Sequence, residues 1–278
     1  SYPWPDPNSP GRSDGLEESA RRLYDDTDLA LVGRFGGSII ETALGLLGWE
    51  EWLARAAAEP GFAGELLDRI ADVQIALDQT GLETAGRYLT ILKASGEDLG
   101  MQTGPIYSPR TFHELLLPRL RRRWQAARIL LARVSPSAQL MLHSCGAIRL
   151  FIPDLIAAGV QVLDPVQPQA SGMEGSALKR DFGVHLSFHG GVDVQHVLPR
   201  GTPEQVELEV RRCLRAFGRG GGYILAPSHT VQPDVPPRNV VAMCDAARRW
   251  GRYPLREESH GVSSRTGRGD LGSQGAAG

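Results

Sequence analysis

A histidine and a cysteine two residues apart, in His143-Ser144-Cys145-Gly146, close the short apolar run Gln139-Leu140-Met141-Leu142. The run reads as a buried strand, so an imidazole nitrogen and a thiol sulfur share the turn at its C-terminal end. Zinc favours this donor pair, and Gly146 lets the backbone turn tightly around it. A catalytic zinc also needs a third protein ligand and an open position. The pair therefore gains meaning from what stands at the ends of neighbouring strands: Glu97-Asp98, Asp164 and Gln167, His189 and Asp193, and Ser228-His229.

Each of these residues also has a plainer reading. Cys145 reads alternatively as a small buried hydrophobe, and His229 as a loop histidine bonded to backbone. Glu97-Asp98 reads as a solvated acidic turn, or as a further metal ligand, an acceptor for His143, or the carboxylate of a proton-transfer site. His189 precedes Gly190-Gly191, where backbone can approach a ligand closely. Asp164 and Asp193 read equally as turn caps. Glu41, in Ser38-Ile39-Ile40-Glu41, either faces the site or caps a helix. Arg119, Arg121, Arg122 and Arg123 read as a solvated basic face. The stripe Leu115, Leu116, Leu120 and Trp124 reads as core or an oligomer contact.

The elements that must position these groups alternate along the chain. Strands are predicted at 28–32, 87–93, 139–142, 160–163, 184–188 and 222–226. Amphipathic helical runs are predicted at 38–58, 61–82, 109–134, 148–158, 174–182, 203–217 and 236–250. Thr202-Pro203-Glu204-Gln205 has the form of a capping box, and Ser108-Pro109 opens a helix similarly. Repeated βα units imply a parallel sheet covered by helices. Candidate chemistry after five consecutive strands points to a (β/α)8 TIM-type barrel, whose loops converge on one mouth. A doubly wound sheet gathers ligands at a single switch point, and no G-x-G-x-x-G turn follows the first strand. Six strands fall short of eight, so two βα units, about 30 residues each, are expected to be missing at the N-terminus. Residues 1–16 read as an extended lead-in, 17–258 as the barrel domain and 259–278 as a disordered tail, in which Arg268-Gly269-Asp270 reads as a chance tripeptide.

The chain has 278 residues, 41% of them hydrophobic, and a formal net charge of -2, which suits one globular core and gives no general attraction to nucleic acid or anionic membrane. No apolar run approaches the roughly 20 residues a membrane span needs. The three cysteines do not form a disulfide framework, and a reducing cytoplasm is the expected setting.

The run Gly222-Tyr223-Ile224-Leu225-Ala226-Pro227-Ser228-His229-Thr230-Val231-Gln232-Pro233-Asp234, with Pro236-Pro237-Arg238-Asn239-Val240 after it, resembles the last barrel unit of the uroporphyrinogen decarboxylase superfamily. The similarity continues through 188–193, 152–159, Tyr2–Pro7 and Phe35-Gly36-Gly37-Ser38. The superfamily also holds zinc methyltransferases that pass methyl groups between corrinoid proteins and thiols. His143-x-Cys145 resembles their metal motif, whereas His229 stands where they usually carry a second cysteine and resembles a porphyrinogen-contacting histidine of the decarboxylases. The resemblance implies one of two enzymes. The first is a zinc-dependent methyltransferase with His143, Cys145 and His229 on the metal, a small thiol substrate and a corrinoid-bearing partner protein. The second is a metal-free decarboxylase, a carboxy-lyase of porphyrin (heme) biosynthesis acting on a tetrapyrrole. A third reading is a barrel that binds a tetrapyrrole or corrinoid partner without catalysis. In the enzyme readings Asp98, Glu97 and His229 are the catalytic candidates, and His189, Asp193, Gln167 and Glu41 contact substrate.

Overall fold

Short apolar runs become six parallel strands: β1 (Val32–Gly33), β2 (Ile91–Gly96), β3 (Gln139–His143), β4 (Val162–Val166), β5 (Ser187–Val192) and β6 (Tyr223–Pro227). They lie side by side in sequence order. This computed structural model describes residues 2–255, so the expected 259–278 tail, with Arg268-Gly269-Asp270, lies outside the described residues. Among the described residues the sheet is a curled half-barrel with helices between its strands, six strands wide rather than a closed ring of eight. The helices are α1 (Leu16–Asp26), α2 (Ile40–Leu47), α3 (Trp49–Ala58), α4 (Pro60–Ala85), α5 (Pro109–Thr111), α6 (Leu117–Val134), α7 (Ile152–Ala158), α8 (Gly175–Phe182), α9 (Val197–Arg200), α10 (Pro203–Phe217) and α11 (Pro237–Trp250). No helix among the described residues is long and apolar enough to cross a membrane.

Strand pleating sorts the side chains into two layers, because successive residues point to opposite faces. Leu92, Leu140, Leu142, Leu163 and Phe188 are buried in the main core shared with the helices. The alternate positions Ile91, Met141 and Val162 form a separate apolar cluster. Two residues further along the same three strands stand Lys93, His143 and Asp164, so an apolar layer underlies a polar one at the strands' C-terminal ends. That polar layer is where the site is built.

Several boundaries differ from the sequence pattern, each for a local reason. β5 begins at Ser187 rather than 184, because the N–H groups of His185 and Leu186 both donate to Phe182 O and extend the turn that closes α8. Val184 is accordingly 88% exposed. The strand instead runs on through His189, which therefore lies within β5 and not after it. The 38–58 run splits at Gly48, whose φ of 84° favours glycine. The long 109–134 run is interrupted by a π-turn at Phe112–Leu116, just before Pro118, which has no N–H to donate. Helix α1 was not foreseen; it buries none of its residues, so no core-facing stripe announces it.

The basic face expected at 119–123 is corrected at one position. Arg119 and Arg122 pair with Asp68 and Asp72 near the surface. Arg123 is 1% exposed, its guanidinium donating from Nε and Nη2 to Asp78 at 2.7 and 3.1 Å and from Nη1 to Gly37 O at 2.5 Å. Asp78 in turn accepts Gly36 N at 3.0 Å. One ion pair thus ties α4 and α6 to the loop that leads into α2. Removing one partner of such a buried pair leaves an uncompensated charge, which costs about 3–5 kcal/mol. Urea unfolding of Arg123→Ala is therefore expected to show a loss of that size, against a change within about 0.5 kcal/mol for Arg121→Ala. Equal effects would refute the structural role of the pair.

Candidate active site

The turn after β3 is held by side chains from both neighbouring strands. Ser144 N donates to Asp164 O at 2.7 Å. Leu99 N donates to Ser144 Oγ at 3.2 Å and Cys145 N to Asp98 Oδ1 at 2.9 Å. Gly146 N donates to Gln167 Oε1 at 2.6 Å. Gly146 has φ 79°, and a Cβ there would lie 2.5 Å from the Gly100 carbonyl, so only glycine fits.

Asp164 fixes the imidazoles. Its Oδ2 lies 2.9 Å from His143 Nδ1 and 2.6 Å from Lys93 Nζ, and its Oδ1 lies 2.6 Å from His189 Nδ1. Burial pushes the Asp164 carboxyl up, but the bonds from His143, His189 and Lys93 outweigh it and hold the group well below the usual carboxylate range. An ionised carboxylate only accepts, so Nδ1 of each histidine carries the proton. In the neutral rings Nε2 then presents a lone pair, the arrangement that a metal-binding histidine requires.

His143 Nε2 lies 3.5 Å from Cys145 Sγ. His229, just beyond β6, completes a trio whose ligand atoms all lie within 4.8 Å of one another. Its loop is anchored by Ser228, which is buried and donates from its N to Val192 O at 2.8 Å. Two nitrogens and one sulfur, with an exposed side at His229, fit the donor set of a catalytic zinc with one open position. Bonds of about 2.0–2.3 Å in a tetrahedral site put neighbouring donors about 3.3–3.6 Å apart, which the histidine–cysteine spacing already meets. Without a cation, burial and then Asp98, Asp164 and Glu41 push the Cys145 thiol up to about 12.

The remaining candidates divide by placement. Asp98 is at the trio, with Oδ1 3.9 Å from His143 Nε2. Glu41 stands behind it, accepting Asp98 N at 2.8 Å, and burial pushes its carboxyl up. Glu97, expected to act beside Asp98, turns the other way. It is 0% exposed and caps α2 by accepting Ile39 N and Ile40 N at 2.8 Å and Ser38 Oγ at 3.0 Å. Burial pushes its carboxyl up to about 7, although Arg123 lies 3.8 Å away. Gln167 positions the Gly146 turn, and His189 reaches the trio through Asp164. Asp193, expected to contact substrate, is buried and accepts Gln195 N at 2.7 Å and His196 N at 3.1 Å, as a turn cap does. Lys93 was passed over in the sequence. Its signal was the period-two position above Ile91, where a lysine interrupts an apolar strand on its inner face.

A family model, uroporphyrinogen decarboxylase (URO-D), matches residues 3–250. The uroporphyrinogen decarboxylase of Methylococcus capsulatus is 36% identical over 76 residues, which make up 27% of this chain and 21% of that protein. That of Edwardsiella ictaluri is 34% identical over 71 residues, 26% of this chain and 20% of its own. The aligned stretch thus spans about a fifth of these relatives' length. A methyltransferase from Methanosarcina mazei shares the fold, with a TM-score of 0.66 over 87% of this chain and 66% of that one, at 19% identity.

Two substitutions test the donor set by zinc titration against a chromophoric chelator. Cys145→Ala is expected to weaken zinc binding far more than Cys213→Ala or Cys244→Ala. Asp164→Asn, which removes the carboxylate behind His143, is expected to weaken it about 10–100-fold. Indistinguishable affinities in all four variants would dismiss the trio.

Proposed function

The chain belongs to the uroporphyrinogen decarboxylase family, and on that premise we propose that it is a zinc-dependent methyltransferase passing a methyl group between a corrinoid on a partner protein and a small-molecule thiol. The observation that carries this reading is the trio His143, Cys145 and His229 within 4.8 Å, with Asp164 dictating the His143 tautomer. A porphyrinogen decarboxylation of the metal-free kind has no use for a histidine and a cysteine converging in this way. We read the six strands as the larger part of a (β/α)8 barrel whose mouth is the reaction chamber. Three unpaired cysteines, Cys145, Cys213 and Cys244, suit a reducing cytoplasm.

In this reading His143, Cys145 and His229 hold the ion. Bound there, zinc supplies the positive charge that lets a thiol lose its proton near neutral pH. The chain's own residues do the rest. Asp164 keeps the Nδ1 proton on His143 and so aims Nε2 at the ion's place, while Lys93 offsets the carboxylate's charge. Asp98, held by Glu41 through its backbone N–H, is the nearest carboxylate that can accept the thiol proton. A methyl-corrinoid would supply an electrophilic methyl group and keep the electron pair of the bond that breaks, while this chain's part is to hold the thiol sulfur and take up its proton. Lining by Met141, Ile91 and Val162 beneath the polar layer keeps water from the inner side.

The second reading, a metal-free uroporphyrinogen decarboxylase, is supported by the local identity to curated decarboxylases. His229 separates the two. His229→Ala is expected to lower zinc content and abolish methylcobalamin-dependent methylation of a thiol. His229→Cys restores a sulfur donor and is expected to retain the metal. Uroporphyrinogen turnover by zinc-free wild type, unaccompanied by thiol methylation, would decide for the decarboxylase.

A further inference from the structure

Two adjacent glycines follow His189 in β5, and both have left-handed backbone, with φ 113° at Gly190 and 96° at Gly191. Glycine adopts this conformation without steric cost. The space that they leave is taken up by the protein itself. A Cβ at Gly190 would lie 3.1 Å from Pro165 Cβ and from Val166 N, and one at Gly191 would lie 2.9 Å from the Tyr223 hydroxyl. On the β4 side the register slips. Leu163 pairs with Phe188 and Val166 with Gly190, so Asp164 and Pro165 together oppose His189 alone. Two residues against one make a β-bulge, a device that re-aims a side chain. Here the re-aimed residue is Asp164, whose Oδ1 meets His189 Nδ1 at 2.6 Å.

On the β6 side, the Tyr223 hydroxyl donates to Gly190 O at 2.7 Å. Its ring is set by stacking on Phe217, with centres 5.1 Å apart and planes 24° apart, and Phe217 packs on Phe188 at 5.4 Å. Burial pushes the phenol well above its ordinary range, so it keeps the proton that Gly190 O accepts. We propose that Tyr223 is a positioning residue for the polar chamber: its bond to Gly190 holds the bulge in register, which keeps His189 on Asp164 and, through that carboxylate's other oxygen, keeps His143 aimed at the ion's place. The last step rests on the reading of the trio as a metal site. Each link is short: 2.7 Å from Tyr223 to Gly190, one peptide to His189, 2.6 Å to Asp164 and 2.9 Å on to His143 Nδ1.

Cobalt(II), a coloured substitute for zinc, tests the relay by titration into the full chain. Tyr223→Phe keeps the stacked ring and removes only the hydroxyl. It is expected to weaken cobalt binding about tenfold, the lower end of what losing a hydrogen bond behind a metal ligand costs, and to shift the cobalt absorption bands. Tyr253→Phe removes the same kind of bond, from a hydroxyl to Gly218 O at 2.9 Å on the turn that ends α10, and is expected to change neither. In a His189→Asn background, Tyr223→Phe is expected to add less than about twofold, because residues acting through one another are not additive. Metal-free protein supplies a second readout by ¹⁵N-edited NMR. The His189 Nδ1 proton is expected as a slowly exchanging, downfield resonance in wild type and Tyr253→Phe, and to be lost in Tyr223→Phe. Wild type that binds no cobalt, with that resonance still lost in Tyr223→Phe, would remove the metal reading and support Tyr223's hold on the Asp164–His189 pair. An unchanged resonance in Tyr223→Phe, equal effects in Tyr253→Phe, or full additivity with His189→Asn would overturn the proposal.

Discussion

The polar chamber depends on one carboxylate. Asp164 stands on the inner face of β4 with a donor from β2, another from β3 and a third from β5 converging on its two oxygens. An anion in so sheltered a place is tolerable only when its lone pairs are filled, and here strand register fills them. His143 pairs with Asp164 across β3 and β4 in the sheet itself, so the backbone ladder sets the side-chain contact. Two imidazoles answer to the same group, and displacing Asp164 would release both at once.

A second buried carboxylate organises the rim in another way. Glu97 and Asp98 are adjacent, yet the turn after β2 sends one inward and the other outward. Glu97 satisfies the first N–H groups of α2, where the helix dipole also favours negative charge. Asp98 is left facing the cysteine. Arg123 and Asp78 brace the glycine loop in front of α2, so the placement of Glu41 on its first turn rests on charges that never meet solvent. The reactive rim is therefore carried by a shell of structural ions, and changes in that shell would misplace Asp98 and Glu41 without touching either.

Much of this was legible in the residues. Alternating βα runs predicted six strands in a parallel sheet covered by helices, and His143-x-Cys145 with His229 marked the three side chains that the fold brings together. What escaped detection depended on tertiary environment. Nothing local distinguishes Arg123 from Arg121, because only the loop from another part of the chain buries one of them. Neither does the pair Glu97-Asp98 declare which member will cap a helix about 57 residues earlier. Asp164 read equally as a turn cap; its importance arises from three partners on three different strands. The start of β5 was misplaced because its branched apolar residues continue into the turn after α8, where hydrogen bonding and not hydropathy decides.

Helix α1 stands apart from this economy of buried charge. It touches the body through an ion pair between Glu17 and Arg87 and a tilted contact of Tyr24 with Tyr88, whose ring centres are 5.7 Å apart. None of its residues is buried. Its amide ladder can consequently open without exposing any core, and such openings sit at the low end of a protein's free-energy scale. Amide hydrogens of α1 would exchange with solvent by local fraying, while those of β3 and β4, flanked by strands on both sides, would wait for the sheet itself to come apart. Deuterium uptake would thus divide the chain into a rapidly labelled first helix and a slowly labelled chamber wall.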